Sequence, residues 1–162
     1  MILTEILSAE RVKVARRGEG VESKDDALHS LAKLLASGAP ATPQAPGPTD
    51  FYRVLAEREA LQSTGIGDGV AIPHGALENL GGQLAALLIC PGGIPFDAID
   101  GNPVSILFAV VGPKRATGEH LKTLARISRL LRDSAFREKL LASGDRTQAF
   151  GLIRSAEEGR AA

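Results

Sequence analysis

Apolar positions along the chain follow two different rhythms. Over residues 25–38, Leu28, Leu31 and Leu35 recur every three or four positions, the period that lines up side chains on one face of a helix. Asp25 and Asp26 suit the start of that helix and Gly38 its end. A second helix is predicted from Thr49 and Asp50, either of which can cap free amides, through Phe51 to about Leu61. A third spans residues 119–132, where Leu121, Leu124, Ile127 and Leu131 keep helical spacing, and shorter amphipathic stretches follow at 136–141 and 148–153. The other rhythm is that of strands. Residues 10–16 alternate polar and small apolar side chains and predict a first edge strand. Residues 84–89 and 104–111 are nearly continuous apolar runs, as expected of strands covered on both faces by helices. A short run, Val70-Ala71-Ile72, leads into Pro73-His74-Gly75. Residues 38–48 contain the one biased stretch, whose prolines forbid a helix interior, and predict an exposed connection. Too little chain precedes it to build a core, so residues 1–156 read as one α/β domain, with a frayed tail over 157–162.

Composition supports this picture. With 162 residues, 44% hydrophobic and 23% charged, the chain is long enough for a full core without disulfides or metals. Aromatic content is only 4%, with no Trp, so Leu, Ile, Val and Ala must fill that core. Nineteen basic and nineteen acidic residues cancel, which argues against a nucleic-acid binder relying on a broad basic field. The single cysteine, Cys90, excludes an intrachain disulfide and fits a reducing setting. No run reaches the roughly 18 apolar residues of a membrane span, and the first residues lack the pattern of a signal peptide. A cytoplasmic protein is expected.

The three histidines differ in setting. His29 lies mid-helix beside Leu28 and Leu31 and reads as a surface or core-edge residue. His74 follows a strand and a proline, next to the glycine-rich segment Ser63-Thr64-Gly65-Ile66-Gly67-Asp68-Gly69. Reactive groups concentrate at such strand ends. The alternating glycines allow close backbone approach to an anion, and Ser63 and Thr64 add hydroxyls. A plain tight turn would also explain them, and no Gly-Lys-Ser/Thr follows to make a nucleotide-binding loop. His120 falls in the first turn of the third helix, where the helix dipole disfavours a protonated imidazole. A neutral ring there can donate to a phosphoryl oxygen. Arg58, just before the glycine segment, offers planar donors suited to the same oxygens, although Glu57 and Glu59 beside it also fit a solvated charged face.

Histidine suits a reversible carrier. Near an unperturbed pKa of about 6.5, roughly three quarters of imidazoles are neutral and nucleophilic at pH 7, whereas a lysine near 10.4 is neutral less than about one time in a thousand.

These residues resemble those of a known family. Residues 55–75, Leu-Ala-Glu-Arg-Glu-Ala-Leu-Gln-Ser-Thr-Gly-Ile-Gly-Asp-Gly-Val-Ala-Ile-Pro-His-Gly, are similar to the enzyme IIA components of the fructose, mannitol and nitrogen-regulatory type of the phosphoenolpyruvate-dependent phosphotransferase system. The likeness continues at residues 96–104 and 118–125. It implies a mixed, mostly parallel β-sheet flanked by helices on both faces, the mannitol/fructose-type IIA fold. It also implies that His74 is phosphorylated through Nε2 by the histidine-containing phosphocarrier protein. His120 and Arg58 would hold the phosphoryl oxygens, helped by Thr64, Ser63 and the amides at Gly65 and Gly67. No metal or organic cofactor is implied. The proline-rich connection is longer and stiffer than expected of the family. The absence of an appended IIB or IIC segment favours the nitrogen-regulatory branch, whose downstream partner is a regulated enzyme or transporter. The alternatives are a sugar-type IIA passing phosphate to a IIB component and a binding regulator without turnover. Hydrolysis is poorly supported, since neither His-Glu-x-x-His nor Gly-x-Ser-x-Gly occurs.

Overall fold

A computed structural model describes residues 2–161. Two short 3-10 turns, Leu3–Glu5 and Ala9–Arg11, lead into β1 (Val12–Val14). Then come α1 (Lys24–Ala36), α2 (Pro48–Leu61), β2 (Gly65–Gly67), β3 (Val70–Ala71), β4 (His74–Leu77), β5 (Leu84–Ile94) and β6 (Val104–Pro113). Helices α3 (Thr117–Leu131), α4 (Ser134–Leu141) and α5 (Arg146–Ala161) complete the chain. The helix starts follow local chemistry. Ser23 caps α1 by accepting from the Asp26 amide at 3.1 Å. In α2, Pro48 takes the first position, where its missing N–H costs nothing, and Asp50 reaches back to the Gly47 amide at 2.9 Å.

The strands form one sheet in the order β1-β5-β6-β3-β2, with β4 also paired to β6. The pairs β1/β5, β3/β6 and β4/β6 are parallel, while β5/β6 and β2/β3 are antiparallel, so the sheet is mixed and mostly parallel, as the resemblance implied. Along β6, Ala71 faces Leu107 and His74 faces Val110, so β3 and β4 keep one register on either side of Ile72-Pro73. They are one strand lane interrupted at Pro73, which has no N–H to give the ladder. The sequence reading ended the strand before His74; instead His74 opens β4.

Alternate residues of β5 and β6 enter two separate cores. Ala86, Leu88, Leu107, Ala109 and Val111 pack against α1 and α2, whereas Leu87, Ile89, Ile106, Phe108 and Val110 pack against α3, α4 and α5. The apolar runs thus lie in a sheet covered on both faces. Cys90 is buried in the first core, and desolvation pushes its thiol up to about 11. Residues 38–47 form turns and irregular backbone, with residues 40–44 exposed and Pro46 buried, and Pro48 already belongs to α2. The expected frayed tail needs correcting. From Arg146, α5 runs past residue 157, and the Glu157 side chain is buried because it accepts hydrogen bonds from the amides of Leu3 and Thr4. Residue 162 lies outside the described residues.

Candidate functional site

The pleat aims His74 at the face of the sheet shared by Val110 and α3. Its ring is part-buried, and Nδ1 lies 2.8 Å from the carbonyl oxygen of Ile72. A carbonyl only accepts, so Nδ1 carries a hydrogen and, in the neutral ring, Nε2 carries the lone pair. Burial lowers the pKa of His74 below its ordinary value. The Ile72 bond opposes that shift, the Arg58 charge reinforces it, and Glu59 opposes it. The site therefore holds a neutral imidazole with a fixed tautomer.

His120 meets the His74 ring from α3. Its amide donates to Ala116 O at 3.0 Å in the first turn of α3, and its ring centroid lies 5.7 Å from that of His74, tilted by 51°. Burial lowers its pKa too, and His74 adds to the effect. Its Nδ1 is buried with no hydrogen-bond partner among the described residues. A glycine makes room for it: a Cβ on Gly112 would sit 3.5 Å from this nitrogen and 3.1 Å from Gln83 Cγ.

Arg58 stands in the last turn of α2 and donates through Nη1 to the Gln62 carbonyl at 2.7 Å. That bond holds the guanidinium over a cleft of about 570 Å³, whose lining includes Ser63, Thr64, Gly65 and His74. Ile66, Ile99 and Leu124 give the cleft an apolar rim. Arg58 and His74 thus share the cleft with part of the glycine segment, while His120, which is not among its lining residues, meets the His74 ring from α3.

The rest of that segment does something else. Gly65 and Gly67 belong to β2, paired antiparallel to β3, and the Gly65 amide donates to Ser63 Oγ at 3.1 Å. Ser63 Oγ itself donates to the Phe96 carbonyl at 3.1 Å. Gly67, with φ of 100°, is not among the residues lining the cleft and faces the Asp100 carboxylate instead. The alternating glycines are therefore a strand–turn–strand clasp on the 96–102 loop more than an open anion cradle. His29 stacks on Tyr52, with ring centroids 3.8 Å apart, and lines no part of the cleft.

Sequence reasoning missed a buried carboxylate. Glu59 is 6% exposed and accepts from the Thr64 amide at 2.9 Å, from Thr64 Oγ1 at 2.5 Å and from Lys24 Nζ at 3.0 Å. Lys24 also pairs with Asp97 at 3.3 Å and lies 5.0 Å from the Phe96 ring centroid. This network pins the residues flanking the cleft to the start of α1. Its one sequence signal was the four-residue step from Leu55 to Glu59, which places Glu59 on the buried face of α2. Among the described residues, no group of three or more His, Cys, Asp or Glu is placed to hold a metal ion, and no helix is long and apolar enough to cross a membrane.

Comparison with known proteins decides the family. Residues 5–156 match the family model described as phosphoenolpyruvate-dependent sugar phosphotransferase system, EIIA 2. The chain belongs to this family. This EIIA protein is 37% identical to a nitrogen regulatory protein of Bradyrhizobium diazoefficiens over 153 residues, which covers 94% of the chain and 95% of the relative. The crystal structure of nitrogen regulatory protein IIA-Ntr from Neisseria meningitidis superposes with a TM-score of 0.82 at 30% identity, covering 93% of this chain and 98% of that one. Enzyme IIAMtl of Escherichia coli, solved in complex with phosphorylated enzyme IIBMtl, shares the fold at a TM-score of 0.68 and 18% identity, over 92% and 97% of the two chains. The family and fold expected from residues 55–75 are those found.

Proposed function

We propose that this EIIA protein accepts a phosphoryl group on His74 Nε2 and hands it on, with a regulatory role of the nitrogen type. The observation that carries the reading is the Ile72 carbonyl on His74 Nδ1, which makes Nε2 the nucleophilic nitrogen of a neutral ring beside Arg58. The donor is the phosphohistidine of the phosphocarrier protein. The Nε2 lone pair attacks phosphorus, the P–N bond to the donor breaks, and its electron pair returns to the donor imidazole. His74 then bears a partial positive charge, which the Ile72 carbonyl accommodates through Nδ1–H. The Arg58 guanidinium neutralises developing charge on the phosphoryl oxygens. Neutral His120 supplies an N–H without a second full positive charge against the His74 ring. Forward and reverse transfer then differ little in energy, as a relay requires.

The donor is cytoplasmic in this reading, and a IIB component or a regulated enzyme or transporter reads the result. A phosphoryl group adds about −1.5 to −2 charges at the cleft, enough to change how a charged partner surface sits there. The test is intact-protein mass after incubation with phosphoenolpyruvate, enzyme I and the phosphocarrier protein. One acid-labile phosphoryl adduct is expected, absent from His74→Ala; an adduct of equal yield on that variant would overturn the assignment.

A further inference from the structure

The ring of His120 rests over a bare spot on the sheet. β5 and β6 run antiparallel with Leu84 opposite Val111 and Ala85 opposite Val110, which sets Gln83 across from Gly112. Leu84 and Val111 pack in the core under α1 and α2. The pleat therefore turns Gln83 and Gly112 to the other face, the one where Val110 packs against α3. Gly112 has no side chain there, and two groups use the space. A Cβ on it would lie 3.1 Å from Gln83 Cγ, 3.9 Å from Gln83 Cδ and 3.5 Å from His120 Nδ1. The Gln83 amide and the His120 ring thus approach one point from two sides.

Gln83 is anchored at its far end. The residue is 7% exposed, and Nε2 donates to Glu119 Oε1 at 3.1 Å. An ionised carboxylate only accepts, so the amide turns its nitrogen to Glu119 and its oxygen away. That oxygen is buried without a hydrogen-bond partner, and so is His120 Nδ1. Of the three such atoms among the described residues, two belong to this pair of side chains. Two acceptors explain the pattern. A neutral His120 with its hydrogen on Nε2, the form used in the proposed transfer, keeps a lone pair on Nδ1, to which an amide oxygen offers nothing. A second proton on the ring reverses this: Nδ1–H donates to Oε1, and both buried atoms are satisfied at once.

We propose that Gln83 is the positioning residue of His120: its amide oxygen accepts the Nδ1–H of a ring that takes a second proton once His74 carries its phosphoryl group. The inference rests on the carrier reading of His74. Before transfer, burial and the His74 ring hold His120 neutral, and no carboxylate opposes them. Glu119, its neighbour on α3, is engaged by Gln83, and the Arg58 charge from α2 acts on His74. In the flanking turns Lys114 pairs with Glu78 at 3.7 Å and Arg115 donates to the Leu80 carbonyl at 3.4 Å. The phosphoryl group brings the missing anion, about −1.5 to −2 charges, to a ring whose centroid lies 5.7 Å from that of His120. An opposite charge at that range favours the protonated imidazole. The proton comes from solvent and returns to it when the group is handed on. A partner therefore meets a phosphoryl group beside an imidazolium, and Gln83 supplies the acceptor that the buried side of that imidazolium needs.

The test uses the whole protein with nitrogen-15-labelled histidines, phosphorylated by phosphoenolpyruvate, enzyme I and the phosphocarrier protein. Long-range proton–nitrogen NMR spectra recorded from pH 5 to pH 9 report both the phosphoryl group on His74 and the protonation of His120. Before phosphorylation His120 should be neutral at pH 7 with its hydrogen on Nε2; afterwards both of its nitrogens should carry hydrogens at pH 7. In Gln83→Leu molecules that bear the group on His74, the His120 midpoint should fall by at least about one pH unit, a tenfold loss of proton affinity. Gln83→Met repeats the comparison should Gln83→Leu fail to fold, and the measurement on the unsubstituted protein needs no variant. Three results would each overturn the inference and leave the carrier role standing. They are a hydrogen on Nδ1 before phosphorylation, a His120 that stays neutral at pH 7 beside phosphorylated His74, and equal midpoints in the variant and the unsubstituted protein. Absence of any phosphoryl group on His74 would overturn both readings.

Discussion

At the scale of single residues the site depends on two imidazoles kept neutral by burial. Both His74 and His120 have pKa values below the ordinary histidine value, chiefly through desolvation. In the unfolded chain both titrate near about 6.5. The unfolded state therefore binds more protons as pH falls through that value, and linkage makes folding stability drop with it. The loss begins near pH 6.5 and continues until the lowered folded-state values are passed; above about pH 7.5 these groups contribute no slope. Urea denaturation at pH 7.5 and 5.5 should show the protein less stable at 5.5, and a His74→Gln, His120→Gln double variant should show a smaller difference. An unchanged difference would mean other groups carry the pH dependence. The same neutrality should let phosphoryl acceptance persist near pH 6, where a free imidazole is mostly protonated.

Thr64 holds a buried carboxylate in place beside the cleft. Its hydroxyl hydrogen is committed to Glu59, so Oγ1 offers lone pairs to the cleft and not a proton. Thr64→Val takes one of three donors from a buried carboxylate and should lower stability by about 1–3 kcal/mol. Its labelling rate should fall less than about tenfold. His120→Ala should slow labelling about a hundredfold or more, the effect of removing a donor aimed at developing charge. Rates from the mass assay and urea midpoints separate the two variants; a Thr64→Val protein as slow as His120→Ala would restore Thr64 to the phosphoryl contacts.

Among elements, length and burial decided what could be read in advance. The helices α1, α2 and α3 and the long strands β5 and β6 showed in the sequence because each repeats one period over many residues. The four-residue β4, with a glycine second and alanine third, carries no such period, and only pairing with β6 makes it a strand. Arg58, His74 and His120 were legible as candidates because each has a chemistry worth placing. Glu59 was not, because its partner Lys24 is distant in sequence and a Glu-Arg-Glu triplet resembles any solvated helix face. Only the turn of α2 sends Glu59 inward and Arg58 over the cleft, with Glu57 on the neighbouring side of the helix. The clasp of β2 on the 96–102 loop makes a related demand. A Cβ on Gly65 would lie 2.7 Å from Ala98 Cβ and 2.8 Å from Ala98 Cα, contacts that backbone cannot relieve cheaply. Gly65→Ala should therefore cost about 1–3 kcal/mol and lower the melting temperature by several degrees. A scanning calorimetry trace matching the unsubstituted protein would show that the clasp is looser than its geometry implies.

At the scale of the molecule, one carboxylate ties the two ends of the chain to the helix that bears His120. Glu157 is 3% exposed, yet it accepts from Leu3 N at 2.8 Å, Thr4 N at 3.1 Å and Arg126 Nε at 3.0 Å. A tail rich in Ala, Glu and Gly reads as a frayed end, since nothing local shows that Glu157 meets residues 3 and 4. Closure of the fold created the bond. Truncating one partner of such a buried arrangement strands the others. Two backbone amides would lose their acceptor, and Arg126, whose side chain is 33% exposed, would be left to water on one side and apolar surface on the other. Glu157→Ala should cost about 3 kcal/mol, the lower end for a buried pair broken on one side because Arg126 reaches solvent. Glu157→Gln keeps an oxygen that can accept from an amide and should cost less. Hydrogen exchange separates this from general loosening: the Leu3 and Thr4 amides should lose protection in Glu157→Ala while those of β5 and β6 keep theirs. Equal protection at Leu3 and Thr4 in the two proteins would mean that packing of Leu3 alone holds the N-terminal turn against α5.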